Sequence, residues 1–135
     1  MIFLATAACV SVSLSLTASA QVDAATAATE GRAKQHLEAG RLDAAEALVR
    51  KVLAERPSSA AALLVLGGVL ERRGDLAGAT DAYERAIVAD PKSATAHDKL
   101  GFVLGRQNRV QDALAAFSRA IELDHFGKPN LFLWR

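Results

Sequence analysis

The sequence predicts an all-α fold in which helical hairpins stack into a solenoid. Three observations support this prediction: one pattern recurs every 34 residues, each copy contains two amphipathic helical stripes, and the chain is rich in alanine. Of the 135 residues, 51% are hydrophobic but only 5% are aromatic. This composition favours closely packed helices over a disordered polar chain.

The 34-residue period is carried by matching residues in successive copies. Pro57 and Pro91 lie 34 residues apart. The same interval separates the members of three further sets, which are Ala45, Ala79 and Ala113, then Val49, Tyr83 and Phe117, then Leu42, Leu76 and Val110. Aligned on this period, the repeats span residues 26–59, 60–93 and 94–127, and each divides into two helical patterns.

The turn inside each hairpin has a matching residue. Gly40, Gly74 and Asn108 occupy the same place between the two helices. Glycine and asparagine tolerate the left-handed conformation that ends many helices, so each is expected to end the first helix of its repeat. Asp75 follows Gly74 and is a natural N-cap for the next helix.

The links between repeats also carry helix signals. Pro57 and Pro91 are expected to end the second helices, because proline disfavours α-helical geometry in the residue before it. Ser59 and Ser93 are expected to cap the helices that follow.

Small and large side chains alternate between the helices. Small residues recur on the first helices at Ala33, Gly67 and Gly101, where bulk would push the hairpin apart. Larger residues recur on the second helices at Val49, Tyr83 and Phe117. We expect the large side chains to fill the space that the small ones leave.

These features resemble the tetratricopeptide repeat. The motif residues of the second copy are Leu63, Leu66, Gly67, Leu70, Gly74, Ala79, Tyr83, Ala86 and Pro91. Those of the third copy are His97, Leu100, Gly101, Leu104, Asn108, Ala113, Phe117 and Ala120. The resemblance covers about residues 26–127. It implies a right-handed superhelix whose first helices line a concave groove for an extended or helical peptide.

The first and third repeats depart from the family pattern. Thr29, Arg32 and His36 stand where the family usually has large apolar residues, which indicates either a polar N-terminal cap or a partly ordered helix. In the third repeat Asp124 is followed by His125 instead of proline, so its last helix is expected to end later, near Gly127.

The N-terminal segment, residues 1–20, contains no charged residue and ends in Ala18-Ser19-Ala20. Small residues at these positions are typical of signal-peptidase sites, so the sequence predicts a signal peptide and a periplasmic or secreted bacterial protein. The bacterial origin rests on composition and family resemblance. The alternative is an uncleaved membrane anchor, since the n-region lacks lysine and arginine. Removal of residues 1–20 would also remove Cys9, the only cysteine, which suits an oxidising compartment.

Charge and motif content exclude several functions. Sixteen Lys and Arg against fifteen Asp and Glu give a net charge of +1, too small for a nucleic-acid-binding surface. No phosphate-binding glycine loop is present. The three histidines, His36, His97 and His125, lack the spacing that would place two metal ligands on one helical face. We expect no catalytic residues, no cofactor and no metal, and therefore no enzyme.

The family resemblance places a partner-binding groove on the first helices. Its candidate residues are Lys34, Leu37, Leu64, Gly68, Arg72, Asp98, Phe102 and Arg106. Leu37, Leu64 and Phe102 are expected to form an apolar stripe for a peptide, or else to complete the core. Gly68 and Gly105 are expected to leave room for a ligand backbone, while Arg72 and Arg106 are placed to hold carboxylates. The sequence thus predicts an exported module that binds a protein or peptide, with an envelope assembly or secretion complex as a candidate partner.

Two further expectations concern clamps and the chain end. Chaperone-binding relatives carry a clamp of lysine and asparagine residues. This chain does not match it, because one clamp position holds Lys34 in the first repeat but Gly68 in the second and Phe102 in the third. The C-terminal segment, residues 128–135, contains Leu131, Phe132, Leu133 and Trp134. It is expected either to cover the last helix pair or to contact another molecule. The alternative function is therefore a self-assembling structural protein that uses open solenoid ends and this segment to form a homo-oligomer.

Overall fold

Six α-helices make up the described part of the chain. The computed structural model describes residues 3–127, with side chains for residues 17–125. The helices are α1 (Phe3–Glu38), α2 (Leu42–Glu55), α3 (Ala60–Arg72), α4 (Leu76–Ala89), α5 (Ala94–Arg106) and α6 (Val110–Gly127). No β-strand occurs between residues 3 and 127, and the predicted all-α class is confirmed.

The helices pack in chain order as three hairpins. Each helix contacts the next one along the chain, and contacts are most extensive within the pairs α1–α2, α3–α4 and α5–α6. The first helix, α1, also contacts α3. The second hairpin begins at Ala60 and the third at Ala94, which are the first residues of the second and third sequence repeats.

The turns inside the hairpins have the backbone geometry that their residues predict. The φ angles are 76° at Gly40, 83° at Gly74 and 63° at Asn108, and Asn108 is the sole residue other than glycine with positive φ in the described chain. Asp75 caps α4 by accepting a hydrogen bond from the Gly78 amide at 3.0 Å. The predicted left-handed ends and the Asp75 cap are confirmed.

The links between hairpins follow the predicted chemistry. Arg56 and Asp90, the residues before the two prolines, leave helical geometry with φ near −135° and −138°. Ser59 and Ser93 then accept hydrogen bonds from the amides of the third helical residues, each at 3.2 Å. Each link therefore ends one hairpin and supplies a side-chain cap for the first helix of the next.

The core contains the predicted pairing of small and large side chains. A Cβ atom added to Gly67 would lie 2.3 Å from Cε1 of Tyr83, and one added to Gly101 would lie 2.9 Å from Cδ1 of Phe117. In the first hairpin, Ala33 and Val49 are both fully buried in one cluster. Each hairpin thus encloses a larger side chain opposite a smaller residue. The larger side chain is aliphatic in the first hairpin and aromatic in the other two.

The first helix is longer than its repeat and continuous. It runs without interruption through Thr29, Arg32 and His36. The side chains of Asp23 and Arg56 form an ion pair near the start of the first repeat. The predicted processing site at Ala20 lies within α1. Between residues 3 and 127, no helix is long and apolar enough to cross a membrane.

The last helix extends to Gly127, as the change from proline to His125 predicts. It has 18 residues, whereas α2 and α4 have 14 each. The C-terminal segment lies outside the described residues. The expectations for Leu131, Phe132 and Trp134 therefore stay predictions.

Candidate protein-binding groove

Two adjoining cavities cross the first helices of the three hairpins. One has a volume of about 380 Å³ and the other about 560 Å³. Both are lined by Leu37 of α1, Leu64 and Arg72 of α3, and Lys99 of α5. Because these four residues are shared, the cavities form one continuous depression, here called the first-helix groove.

The groove contains seven of the eight residues that the sequence predicts for it. These are Lys34, Leu37, Leu64, Gly68, Arg72, Asp98 and Phe102. Arg106 does not line either cavity, but it lies close to Glu71, which does. The period therefore brings together side chains that are up to 68 residues apart in the sequence.

The apolar surface of the groove has one strongly exposed member. Leu37 and Leu64 are half-buried and pack against the core clusters of the first and second hairpins. Phe102 is 52% exposed. The two leucines therefore serve the core and the groove together, whereas Phe102 presents most of its ring to solvent.

The sequence led us to expect open space for a ligand backbone at Gly68, but the structure does not show it. A Cβ atom at this position would lie 2.6 Å from Cδ2 of Leu37, so the leucine side chain already occupies that space. Gly105 has no atom within 4 Å of an added Cβ. Of these two glycines, Gly105 is the one beside unoccupied space.

The described side chains offer no arrangement suited to metal binding. Among them, no group of three or more histidine, cysteine, aspartate or glutamate residues is placed to hold an ion. His97 lies on α5 with Nε2 3.3 Å from the carbonyl oxygen of Pro91. The contact arises because His97 lies next to the link between the second and third hairpins, and it does not require a ligand.

Comparison with known proteins identifies the repeat. The profile of the tetratricopeptide repeat family matches residues 30–94. Residues 30–94 of this chain are therefore similar to the tetratricopeptide repeat. A search of curated proteins finds no match.

Solved structures of tetratricopeptide repeat solenoids have the same fold. MamA is similar with a TM-score of 0.69 and 22% identity, over 76% of this chain and 60% of that chain. MamA from Desulfovibrio magneticus RS-1 gives a TM-score of 0.69 and 24% identity, over 76% of this chain and 58% of that chain. A mutant O-GlcNAc transferase from Thermobaculum terrenum gives a TM-score of 0.71 and 31% identity, over 75% of this chain and 20% of that chain. This chain thus spans about 60% of the length of MamA.

Arginines at equivalent positions join successive hairpins. Arg72 donates a hydrogen bond from Nη1 to the carbonyl oxygen of Leu37. One period later, Nη1 of Arg106 lies 3.8 Å from Oε1 of Glu71. Both guanidinium groups therefore contact the end of the preceding first helix. In this structure both arginines contact groups of the chain itself, and the expectation that they hold a partner's carboxylate stays a prediction.

Glu71 connects the groove to the core. Its Oε2 accepts a hydrogen bond from the Tyr83 hydroxyl at 3.0 Å. Tyr83 is 1% exposed, and burial, together with the negative charge of Glu71, raises the pKa of its hydroxyl above the ordinary value. A tyrosine that stays protonated keeps this hydrogen bond and fixes the Glu71 carboxylate beside Arg106.

A second set of polar contacts joins the repeats on the side of the second helices. Arg73 contacts Glu46 of α2, and one period later Gln107 donates from Nε2 to Oγ1 of Thr80 at 2.7 Å. Burial alone would raise the pKa of Glu46, but hydrogen bonds and charge interactions with Arg50 and Arg73 hold this pKa below its ordinary value. These contacts join α2 to the end of α3 and α4 to the end of α5.

Sequence reasoning missed some residues of the groove. Lys99 lines both cavities, and Thr95 lines the larger one. Lys99 follows Asp98 directly in the sequence. The sequence predicts groove residues at matching positions of the repeats, and the position of Lys99 is not among them. Within the described chain, Lys34 and Lys99 have no ion-pair partner, and the same is true of Glu38 and Asp98. The rim charges are therefore mixed in sign.

Proposed function

We propose that this chain is an exported scaffold that binds a peptide segment in the first-helix groove. The tetratricopeptide repeats support a role in protein interaction. The observation that carries the groove proposal is Phe102, an aromatic side chain 52% exposed in a depression that also contains Leu37 and Leu64. Exposed aromatic side chains in such depressions are frequent anchors of protein interfaces.

The chemistry of the groove indicates the class of peptide. Its centre is apolar, so the partner needs at least one large apolar side chain to cover Phe102 and Leu64. Unpaired charges of both signs surround this centre. A net acidic or net basic segment therefore gains no overall advantage, and partner choice depends on where its charges stand relative to its apolar residue.

A peptide selection tests this proposal. Peptides would be selected from a random display library against the purified chain, and the dissociation constant of the best one measured by fluorescence anisotropy. Phe102→Asp is expected to weaken binding by at least about tenfold, because it places a charge where an apolar side chain must pack.

The matched control is Val88→Asp. Val88 is 82% exposed on α4 and lines no cavity of the groove, so the same chemical change there should leave the dissociation constant unaltered. Equal affinities for the wild type and Phe102→Asp would contradict the groove proposal. Circular dichroism of both variants checks that the fold persists.

Export to the periplasm or outside the cell is the second part of the proposal. It rests on the uncharged residues 1–20, which end in Ala18-Ser19-Ala20. Cleavage after Ala20 would keep the ion pair between Asp23 and Arg56, so it is compatible with an intact first hairpin. Intact-mass spectrometry of fractions from an expressing bacterium tests it. A periplasmic species beginning at Gln21 is expected, whereas an unprocessed chain in the cytoplasm would contradict export.

Self-assembly is a second candidate function. The observation that favours it is the apolar surface of α6, where Val110, Leu114 and Ile121 are all more than half exposed. If copies stack through this surface, light scattering after size exclusion should show a concentration-dependent oligomer that Leu114→Asp abolishes. A monomer at every concentration would refute self-assembly.

A further inference from the structure

The outer face of α6 carries apolar side chains that are more than half exposed in the described chain. Val110, Leu114 and Ile121 are 53%, 55% and 57% exposed. They lie four and seven residues apart, so they share one side of the helix. This surface, with the adjoining ring of Phe117, is here called the α6 face.

The equivalent positions of the first two hairpins are covered. Leu53 and Ile87, which correspond to Ile121, are half-buried in the cluster that contains Leu63 and Ala96. Those covering residues come from α3 and α5, the helices that follow along the chain. The α6 face is therefore the surface that a following segment covers elsewhere in this solenoid.

A cavity of about 500 Å³ lies at this end of the third hairpin. Phe117, Ala120 and Ile121 form its apolar side. The carboxylates of Asp98 and Asp124 also line it. The cavity thus combines an apolar surface with negative charge.

The C-terminal segment has the complementary composition. Its central residues, from Leu131 to Trp134, are all apolar. Lys128 and Arg135 are its charged residues, and it contains no acidic side chain. Its charge is therefore opposite to that of the two aspartates of the cavity.

The segment is also long enough to reach the α6 face. It follows directly after Gly127, the last residue of α6. Along the helix axis, Ile121 lies about 9 Å from Gly127 and Phe117 about 15 Å. An extended chain reaches about 13 Å by Leu131 and about 23 Å by Trp134, so both distances can be spanned.

We propose that residues 128–135 fold back from Gly127 and occupy the α6 face of the same chain, with Leu131 against Ile121 and Trp134 against Phe117. The segment then covers the Ile121 end of the α6 face, and docking within the chain is an alternative to self-assembly through this surface. This proposal does not depend on peptide binding in the first-helix groove.

Trp134 supplies a direct probe because it is the only tryptophan of the chain. An indole in an apolar environment emits at shorter wavelength than one in water, and acrylamide quenches it less. The reference for an undocked indole is a synthetic peptide of residues 128–135. The full chain is expected to emit at shorter wavelength than this peptide and to be quenched more weakly.

Two matched variants locate the docking surface. Ile121→Asp is expected to shift the emission to that of the free peptide while the helical circular dichroism remains, since the side chain is exposed without the segment. Val88→Asp introduces the same charge on α4 and should leave the emission unchanged. A wild-type emission equal to that of the peptide would overturn the proposal, and so would an emission at shorter wavelength that Ile121→Asp does not alter.

Dilution separates the two possible sources of the segment. Docking within one chain gives an emission wavelength that is independent of concentration, with a monomer by light scattering. If the emission moves to longer wavelength on dilution as an oligomer dissociates, the segment docks on a second copy, and docking within one chain is refuted.

Discussion

Replacing Gly67 by alanine would place a methyl group inside the space of the Tyr83 ring. The new Cβ atom would lie 2.3 Å from Cε1 and 2.6 Å from Cδ1, whereas carbon atoms pack at about 3.5–4.0 Å. The ring would have to move by more than about 1 Å. It is held by its buried position and by the hydrogen bond of its hydroxyl to Glu71.

The expected magnitude follows from two opposing effects. Overpacking a core typically costs about 1–3 kcal/mol, while alanine in place of glycine inside a helix contributes about 0.5–1 kcal/mol. The net loss in the free energy of unfolding is therefore about 0–2.5 kcal/mol. For a domain of this size, each kcal/mol lowers Tm by about 4–8 °C. Thermal denaturation followed by circular dichroism measures the change.

A control and a rescue separate overpacking from general sensitivity to substitution. Gly31 lies within α1 with no atom within 4 Å of an added Cβ, so Gly31→Ala should raise Tm. The first hairpin pairs Ala33 with Val49, so Gly67→Ala should be less destabilising in the Tyr83→Val background than in the wild type. A Gly67→Ala variant as stable as Gly31→Ala would refute this packing interpretation.

Three further predictions concern protonation and backbone geometry. Because the pKa of Tyr83 is raised, the unfolded chain loses this proton first; the free energy of unfolding should therefore fall as pH rises above about 10, and less steeply in Tyr83→Phe, as measured by urea denaturation. Because the folded pKa of Glu46 is lowered, its contribution to stability is present above its ordinary pKa of 4.5 and is lost as pH falls; Glu46→Gln should flatten the acid branch of a plot of Tm against pH. Gly74→Ala should cost about 1–2 kcal/mol in thermal denaturation, because φ at this position is 83° and alanine disfavours the left-handed region; an unchanged Tm would contradict that geometry.

The sequence predicts most of the fold because the determining signals are local and recur three times. Glycine or asparagine at the hairpin turns and serine or aspartate at helix starts act through their own backbone geometry, so they can be identified without knowledge of distant contacts. The pairing of Gly67 with Tyr83 is also predictable, because the 34-residue repeat has a small residue on each first helix and a larger one on each second helix. These are the features that the structure confirms.

The sequence predicts the members of the groove better than their contacts. A register position states which helical face a residue occupies, but it does not state what a long side chain reaches. Arg72 extends back to the Leu37 carbonyl, and Leu37 in turn fills the space beside Gly68. Both contacts depend on the angle between neighbouring hairpins, which arises only when the helices pack. The length of α1 is a similar case, since no proline interrupts residues 3–38 and the helix continues beyond the repeat.

The most direct test of groove binding is to map where a selected peptide contacts the folded chain. Amide chemical shifts of the isotope-labelled protein would be recorded during titration with that peptide. The largest changes are expected on α1, α3 and α5, around Leu37, Leu64 and Phe102. Changes confined to α2, α4 and α6 would contradict the groove as the binding surface.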